Sequence, residues 1–214
     1  YESILNEMIE NNGEISSETL AKLGTEVFLV TSKYDSAIAN YLTCDKSEDF
    51  PDYVDIKMKK IRTLRYGENP HQKAAFYRDI SSDSFSVADA IKLQGKELSY
   101  NNILDLSSAL EMVKDYEKPT VSIVKHSNPC GVASADTLKK AYVEALDCDR
   151  LSAFGSIMGF NKSIDDDMAK IILEEADFIE CIIAPDFSNK ATEIFSQKKN
   201  LRVIKTPQFN IEML

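Results

Sequence analysis

Between residues 103 and 204 the chain alternates, at short intervals, between helix-period patterns and strand-length apolar runs. The spacing predicts a helix over 103–116, with Ile103, Leu106, Leu110 and Val113 as its buried stripe. Val121–Val124 is rich in β-branched residues and predicts a strand. A helix follows over 137–146, with Asp136 placed to cap its N-terminus. Ser156–Phe160 predicts a short strand. The helix expected over 165–176 opens with three aspartates, which suit the positive end of a helix dipole. Phe178–Ala184 predicts a strand, 189–199 a helix and Leu201–Ile204 a strand. Repeated α-β units with short connections imply an α/β fold, a sheet layered by helices. With 43% hydrophobic and 28% charged residues, enough apolar surface is available to offset the ordering entropy of such a core.

The chain before residue 103 is patterned differently. Tyr1, Ile4, Leu5, Met8 and Ile9 share one helical face, and Gly13 stands where that helix would stop. Leu20 to Leu42 continues helical spacing, with interruptions expected at Gly24 and Thr31-Ser32, so two helices or one broken helix fit. Residues 43–53 are polar and acidic, and Pro51 blocks a helix there; a linker is expected. Val54, Ile56 and Met58 alternate like a strand, and Phe76-Tyr77 predicts a second short one. The division expected is thus a helical tail with linker over 1–53 and an α/β part over 54–214. The first residues lack a signal peptide's basic and apolar regions, and the chain is expected to start partway through a longer polypeptide.

The 214 residues carry a net charge of −10, which opposes non-specific binding to nucleic-acid phosphate. No apolar run approaches the roughly 18–20 residues that span a bilayer, so neither nucleic acid nor membrane is expected as a partner. The four cysteines, Cys44, Cys130, Cys148 and Cys181, are irregularly spaced without a C-x-x-C pair. That usage points to reduced thiols and an intracellular, cytoplasmic protein.

Candidate chemistry concentrates in Lys125-His126-Ser127-Asn128-Pro129-Cys130-Gly131, directly after the Val121–Val124 strand. Ligands of α/β sheets bind outside the carboxyl ends of strands, and Asn128-Pro129 signals a turn. A lysine supplies positive charge, and a histidine exchanges protons near neutral pH. The pair is equally consistent with a surface lysine and a histidine that satisfies loop carbonyls. A second segment, Arg65-Tyr66-Gly67-Glu68-Asn69-Pro70-His71-Gln72, combines turn residues with a guanidinium that matches a phosphate and a ring that stacks on a heterocycle; a plain turn is the alternative. Gly155, before a short strand, permits close backbone approach to a ligand or simply serves a turn. Glu180 interrupts an apolar strand, either on an exposed edge face or aimed at a ligand's hydroxyls.

Zinc deaminases carry H-x-E followed by P-C-x-x-C. Here His126 is followed by Ser127-Asn128, and Pro129-Cys130 by Gly131-Val132-Ala133. Neither the glutamate nor the second cysteine is present, so no metal ligands are expected. Cys130 as a nucleophile has only His126 nearby in its favour. Phosphate-loop, dinucleotide-binding and nucleophile-elbow glycine patterns are absent.

Taken together, Leu64–Gln72 and Val124–Gly131 closely resemble the bifunctional purine biosynthesis enzymes. These join an IMP cyclohydrolase domain to an aminoimidazole carboxamide ribonucleotide (AICAR) transformylase domain. Ser152-Ala153-Phe154-Gly155 and Glu180-Cys181-Ile182-Ile183-Ala184-Pro185 resemble the transformylase in the same order, and Tyr34–Tyr41 resembles the end of the cyclohydrolase domain. The resemblance implies formyl transfer from 10-formyltetrahydrofolate to the amino group of AICAR, on a cytidine-deaminase-like fold without catalytic zinc. It implies Lys125 and His126 as the catalytic pair, with Arg65, Tyr66, Gly155 and Glu180 binding the nucleotide. The family pattern can have aspartate where Glu180 stands. The resemblance further implies a homodimer with a shared site, cyclohydrolase residues upstream of Tyr1 and most folate contacts beyond Leu214. This piece alone is therefore expected to have little formyl transfer activity. A nucleotide-binding module without catalysis is the alternative from another class.

Overall fold

The computed structural model describes residues 1–43, 54–82 and 84–207. The expected linker over 43–53, apart from Thr43, lies outside the described residues, as does Cys44. The chain divides into two compact units, Tyr1–Ile56 and Lys57–Leu214.

The first unit is helical. Helix α1 spans Glu2–Glu10 and α2 spans Ser17–Thr43. Asn12 and Gly13 end α1 in the left-handed region, at φ 55° and 94°, which agrees with the stop expected at Gly13. The α2 helix runs unbroken through Gly24 and Thr31-Ser32. A single glycine costs a helix interior only about 1 kcal/mol, and the Thr31 hydroxyl donates to the Phe28 carbonyl. Neither helix buries a residue, and α2 leaves Val27, Phe28, Leu29, Val30, Tyr34 and Leu42 exposed.

The second unit holds two sheets. Strands β1 (Met58–Leu64) and β2 (Ala74–Asp79) form an antiparallel pair. Val54 and Ile56 lie before β1 rather than in it. The larger sheet has six strands. These are β3 (Ile91–Gln94), β4 (Thr120–Lys125), β5 (Asn128–Ser134), β6 (Ser156–Phe160), β7 (Ile179–Ala184) and β8 (Arg202–Lys205). Their order across the sheet is β3-β8-β7-β6-β4-β5. Strands β6, β7 and β8 are parallel, whereas β4 runs antiparallel to β6 and β3 antiparallel to β8. Neither edge strand is legible in the apolar periodicity. β5 begins at Asn128-Pro129, where a turn is expected, and an edge strand tolerates the missing N–H of Pro129.

Helices cover both faces. On one lies α3 (Tyr100–Lys114), whose Ile103, Leu106, Ala109 and Leu110 pack with Val124, Ile157, Cys181, Ile183 and Ile204. On the other lie α4 (Leu138–Cys148), α5 (Asp166–Glu175) and α6 (Asn189–Ser196), packed on Val121, Ile123, Met158, Phe160, Ile182 and Val203. Strand residues alternate between the two clusters as the pleat requires. The fold is therefore α/β with a mixed sheet, its parallel part confined to three strands.

The caps follow side-chain chemistry. Asp165 caps α5 through the Met168 N–H at 2.8 Å, and Ser188 caps α6 through the Ala191 N–H at 3.0 Å. For α4 the cap is Thr137, accepting from the Lys140 N–H, and not Asp136, which pairs at the surface with Lys118. Thr137→Ala should cost about 1 kcal/mol in urea unfolding, and Asp136→Ala much less, because an exposed ion pair contributes little. Equal losses would contradict the assignment.

A short 3-10 turn, Val87–Asp89, is held by a capping box between Ser86 and Asp89, and Asp89 also pairs with Arg78. Burial opposes charge on Asp89, but hydrogen bonds from Arg78 and the Ser86 N–H outweigh it and hold the carboxyl below its ordinary value. A depressed folded-state value stabilises the fold above the unfolded value, and that stabilisation is lost as pH falls through the folded one. Asp89→Asn should therefore lower stability by about 1 kcal/mol at neutral pH, with the gap closing below about pH 3.9, the usual aspartate value. An unchanged gap at low pH would refute this.

Candidate active site

The geometry starts from a two-residue turn. Lys125 ends β4 and pairs with Asn128 at the start of β5. His126 and Ser127 between them have φ of 54° and 62°. Positive φ at both central positions is the conformation of a type I′ hairpin, whose twist matches the strands. For residues other than glycine each such position costs about 1 kcal/mol. The turn thus sits one dipeptide earlier than Asn128-Pro129. The Asp105 carboxylate, from α3, offsets that cost. It accepts from the Ser127 N–H at 2.7 Å and the His126 N–H at 3.3 Å, and the Ser127 hydroxyl is 3.4 Å away. Asn128 adds a hydrogen bond from its amide to the His126 carbonyl at 2.8 Å.

Lys125 and His126 are differently exposed. Lys125 is half-buried and its Nζ donates to the Phe154 carbonyl at 2.8 Å. His126, in the turn, is exposed. The Phe154 carbonyl directly precedes Gly155, which has φ 75° and donates its N–H to the Phe178 carbonyl at 2.8 Å. A Cβ at Gly155 would meet only ordinary contacts with the Phe178 ring, so positive φ rather than lack of room calls for glycine here. The exposed rings of Phe154 and Phe178 lie 5.5 Å apart. A chain of contacts thus joins Lys125, Gly155 and the start of β7.

Glu180 stands at a β-bulge. Ser156 pairs with Ile179 and Ile157 with Cys181, so Glu180 is the extra residue. Bulges re-aim side chains. Ile179 packs on the α4–α6 side and Cys181 on the α3 side, a reversal that two residues of regular strand cannot give. Glu180 accepts from Asn102 Nδ2 at 3.1 Å and from Arg202 at 3.2 Å. The Arg202 side chain is 14% exposed and also donates to the Glu97 carbonyl. The charge on Glu180 is thus compensated inside the protein.

Because β4 runs against β6, the carboxyl end of β4 borders the amino ends of β6, β7 and β8. The rule that sites lie at carboxyl ends therefore describes Lys125 and not Gly155 or Glu180. Arg65 and Tyr66 follow β1, whose last residue, Leu64, is buried in the α3-side cluster. Their loop closes through Gly67 N–H to the Gln72 carbonyl and Asn69 N–H to Gln72 Oε1. The Arg65 guanidinium lies 5.7 Å from the Tyr66 ring centre, a cation–π distance. Among the described residues no hydrogen bond, ion pair or ring contact links this pair to Lys125, His126, Gly155 or Glu180.

Cys130 and Cys181 are poor nucleophiles here. Burial, and then the charge of Asp149, push the Cys130 thiol up; burial pushes Cys181 up to about 12. Among the described residues no group of three His, Cys, Asp or Glu side chains is placed to hold a metal ion. No helix among them is long and apolar enough to cross a membrane.

Asp105, Asn102 and Arg202 were not singled out by sequence patterning. The available signal is that Asn102 and Asp105, three apart, flank the apolar stripe of α3 and so lie near its inward face.

Comparison with known proteins bears on the whole chain. The chain is 42% identical over 214 residues to the bifunctional purine biosynthesis protein PurH of Ruminiclostridium cellulolyticum, covering 100% of this chain and 41% of that protein. It is 44% identical over 207 residues to that of Halalkalibacterium halodurans, covering 97% of this chain and 40% of the relative. With the protein of the same name from Bacillus cereus it shares 46% over 204 residues, or 95% and 39% of the two chains. The chain thus spans about two fifths of the length of the curated relatives it matches. The model of the AICARFT/IMPCHase bienzyme family matches residues 1–213, and the chain belongs to that family.

Proposed function

We propose that residues 54–214 form the first part of an AICAR transformylase and that residues 1–53 are the helical end of an IMP cyclohydrolase domain. The observation that carries this reading is the left-handed hairpin that holds Lys125 and His126 at the end of β4, in a chain matched by the bienzyme family along nearly its whole length. Helices on both faces of a mixed sheet support the cytidine-deaminase-like form of the fold.

In this reading the amino group of AICAR attacks the formyl carbon of 10-formyltetrahydrofolate. A carbon–nitrogen bond forms, the bond to the folate nitrogen breaks, and the amine proton passes to the departing nitrogen. The amine is a weak nucleophile, so a group that accepts its proton as the bond forms lowers the barrier. His126, exposed in the turn, assists that transfer. The Lys125 ammonium stabilises negative charge that develops on the formyl oxygen or the leaving group. Arg65 and Tyr66 engage the nucleotide's phosphate and base, and Gly155 and Glu180 line its site. The formyl donor is a substrate, and no step calls on a metal. Ring closure to IMP belongs to the upstream domain, the working form is a homodimer, and the compartment is the cytoplasm.

Lys125→Ala and His126→Ala, each in the complete transformylase polypeptide, should lower kcat for formyl transfer by about a hundredfold or more, in the range of general acid–base contributions. AICAR affinity, measured by calorimetry against the phosphate-free nucleoside, should fall far less. Undiminished turnover in both variants would remove the catalytic assignment. Phosphate-dependent AICAR binding without any turnover in the unsubstituted protein would favour a binding module.

A further inference from the structure

We infer that Asp105 is a positioning residue for the Lys125-His126 pair; this rests on the transformylase reading above. Three observations meet at this side chain. The hairpin that presents the pair is built from two successive residues in the left-handed region, neither of them glycine. The N–H groups of those same residues converge on one carboxylate, with the Ser127 hydroxyl beside it. That carboxylate belongs not to the hairpin but to α3, one turn from the Asn102 that holds Glu180.

Successive N–H groups in a turn make a concave anion site, and here the protein fills it with its own carboxylate. Without Asp105 both N–H groups would turn to water, and the left-handed conformation would lose what offsets its cost. His126 would then sample other φ values, and its ring would leave the position from which it meets the amine. Lys125 would be affected less, because it belongs to the strand and has its own anchor at the Phe154 carbonyl. Asp105 thereby ties the hairpin to the same helix from which Asn102 holds Glu180, so the Lys125-His126 pair and Glu180 keep a fixed separation.

The test uses the complete transformylase polypeptide. Asp105→Ala should lower kcat by about tenfold to a hundredfold, the scale of an ångström-level misplacement, while KM for AICAR changes by less than about threefold because Arg65 and Tyr66 are untouched. Adding Ser127→Gly to Asp105→Ala should restore at least about fivefold of the lost kcat, since glycine adopts positive φ freely. A residue needed only for global stability would lower the melting temperature and leave kcat of the folded protein unchanged. If Asp105→Ala does not fold, as followed by thermal melting, Asp105→Asn with and without Ser127→Gly makes the same comparison. Wild-type kcat in the Asp105 variant, or no rescue by Ser127→Gly, overturns the positioning role and leaves the transformylase reading intact. Full turnover in both Lys125→Ala and His126→Ala overturns the reading and the positioning role with it.

Discussion

At Gly159 a Cβ atom would stand 2.6 Å from the carbonyl oxygen of Ala109 and 2.7 Å from Ser122 Oγ. Helix α3 lies this low on the sheet because that position has no side chain. The Ser122 hydroxyl, fully buried, donates to the same Ala109 carbonyl at 2.8 Å, so the close approach leaves no buried polar group unpaired there. Leu106, Ala109, Leu110 and Val113 are buried in consequence. With the middle of α3 fixed, its first turns stand over the edge of the sheet. There Ser99 and Asn102 close a capping box, Asn102 reaches Glu180 and Asp105 reaches the hairpin. Both of these contacts follow from that docking.

The reversal of β4 is the second constraint. A uniformly parallel sheet would send the carboxyl end of β4 to the edge opposite the starts of β6 and β7. Running antiparallel, β4 delivers Lys125 beside the loop before β6, and the Lys125–Phe154 hydrogen bond closes the gap. Strand β4 is then continued by a two-residue hairpin of the type I′ form, which needs positive φ twice. Local strain and the external carboxylate that supports it are thus consequences of topology.

Much of this was legible in the residues. Helices α1, α3, α4, α5 and α6 and strands β4, β6, β7 and β8 follow from periodicity, within a few residues at their ends. Those segments carry strong amphipathic or β-branched patterns, which outweigh other local preferences. Strands β3 and β5 were not legible. β3 leaves Ile91 and Leu93 exposed, and β5 contains Pro129 and Gly131. Both are edge strands, whose pairing is decided by a neighbour distant in sequence. The α4 cap shifted from Asp136 to Thr137 for the same kind of reason, since two adjacent oxygen-bearing side chains both satisfy the pattern and backbone geometry selects one.

By itself the sequence determined that this chain is α/β, which segments alternate, and that Lys125-His126 and Arg65-Tyr66 stand in loops rich in turn residues. Its ordered motifs also determined the family. Tertiary structure alone decided that β4 reverses against β6, that Glu180 is the extra residue of a bulge, and that Asp105 meets the Lys125-His126 hairpin and Arg202 meets Glu180. The reason is physical. Periodicity records which face of an element is buried, a property of neighbours along the chain. Strand direction, bulges and the partners of a carboxylate depend on groups far apart along the chain, 78 residues in the case of Asn102 and Glu180, and only the packed core brings those into register.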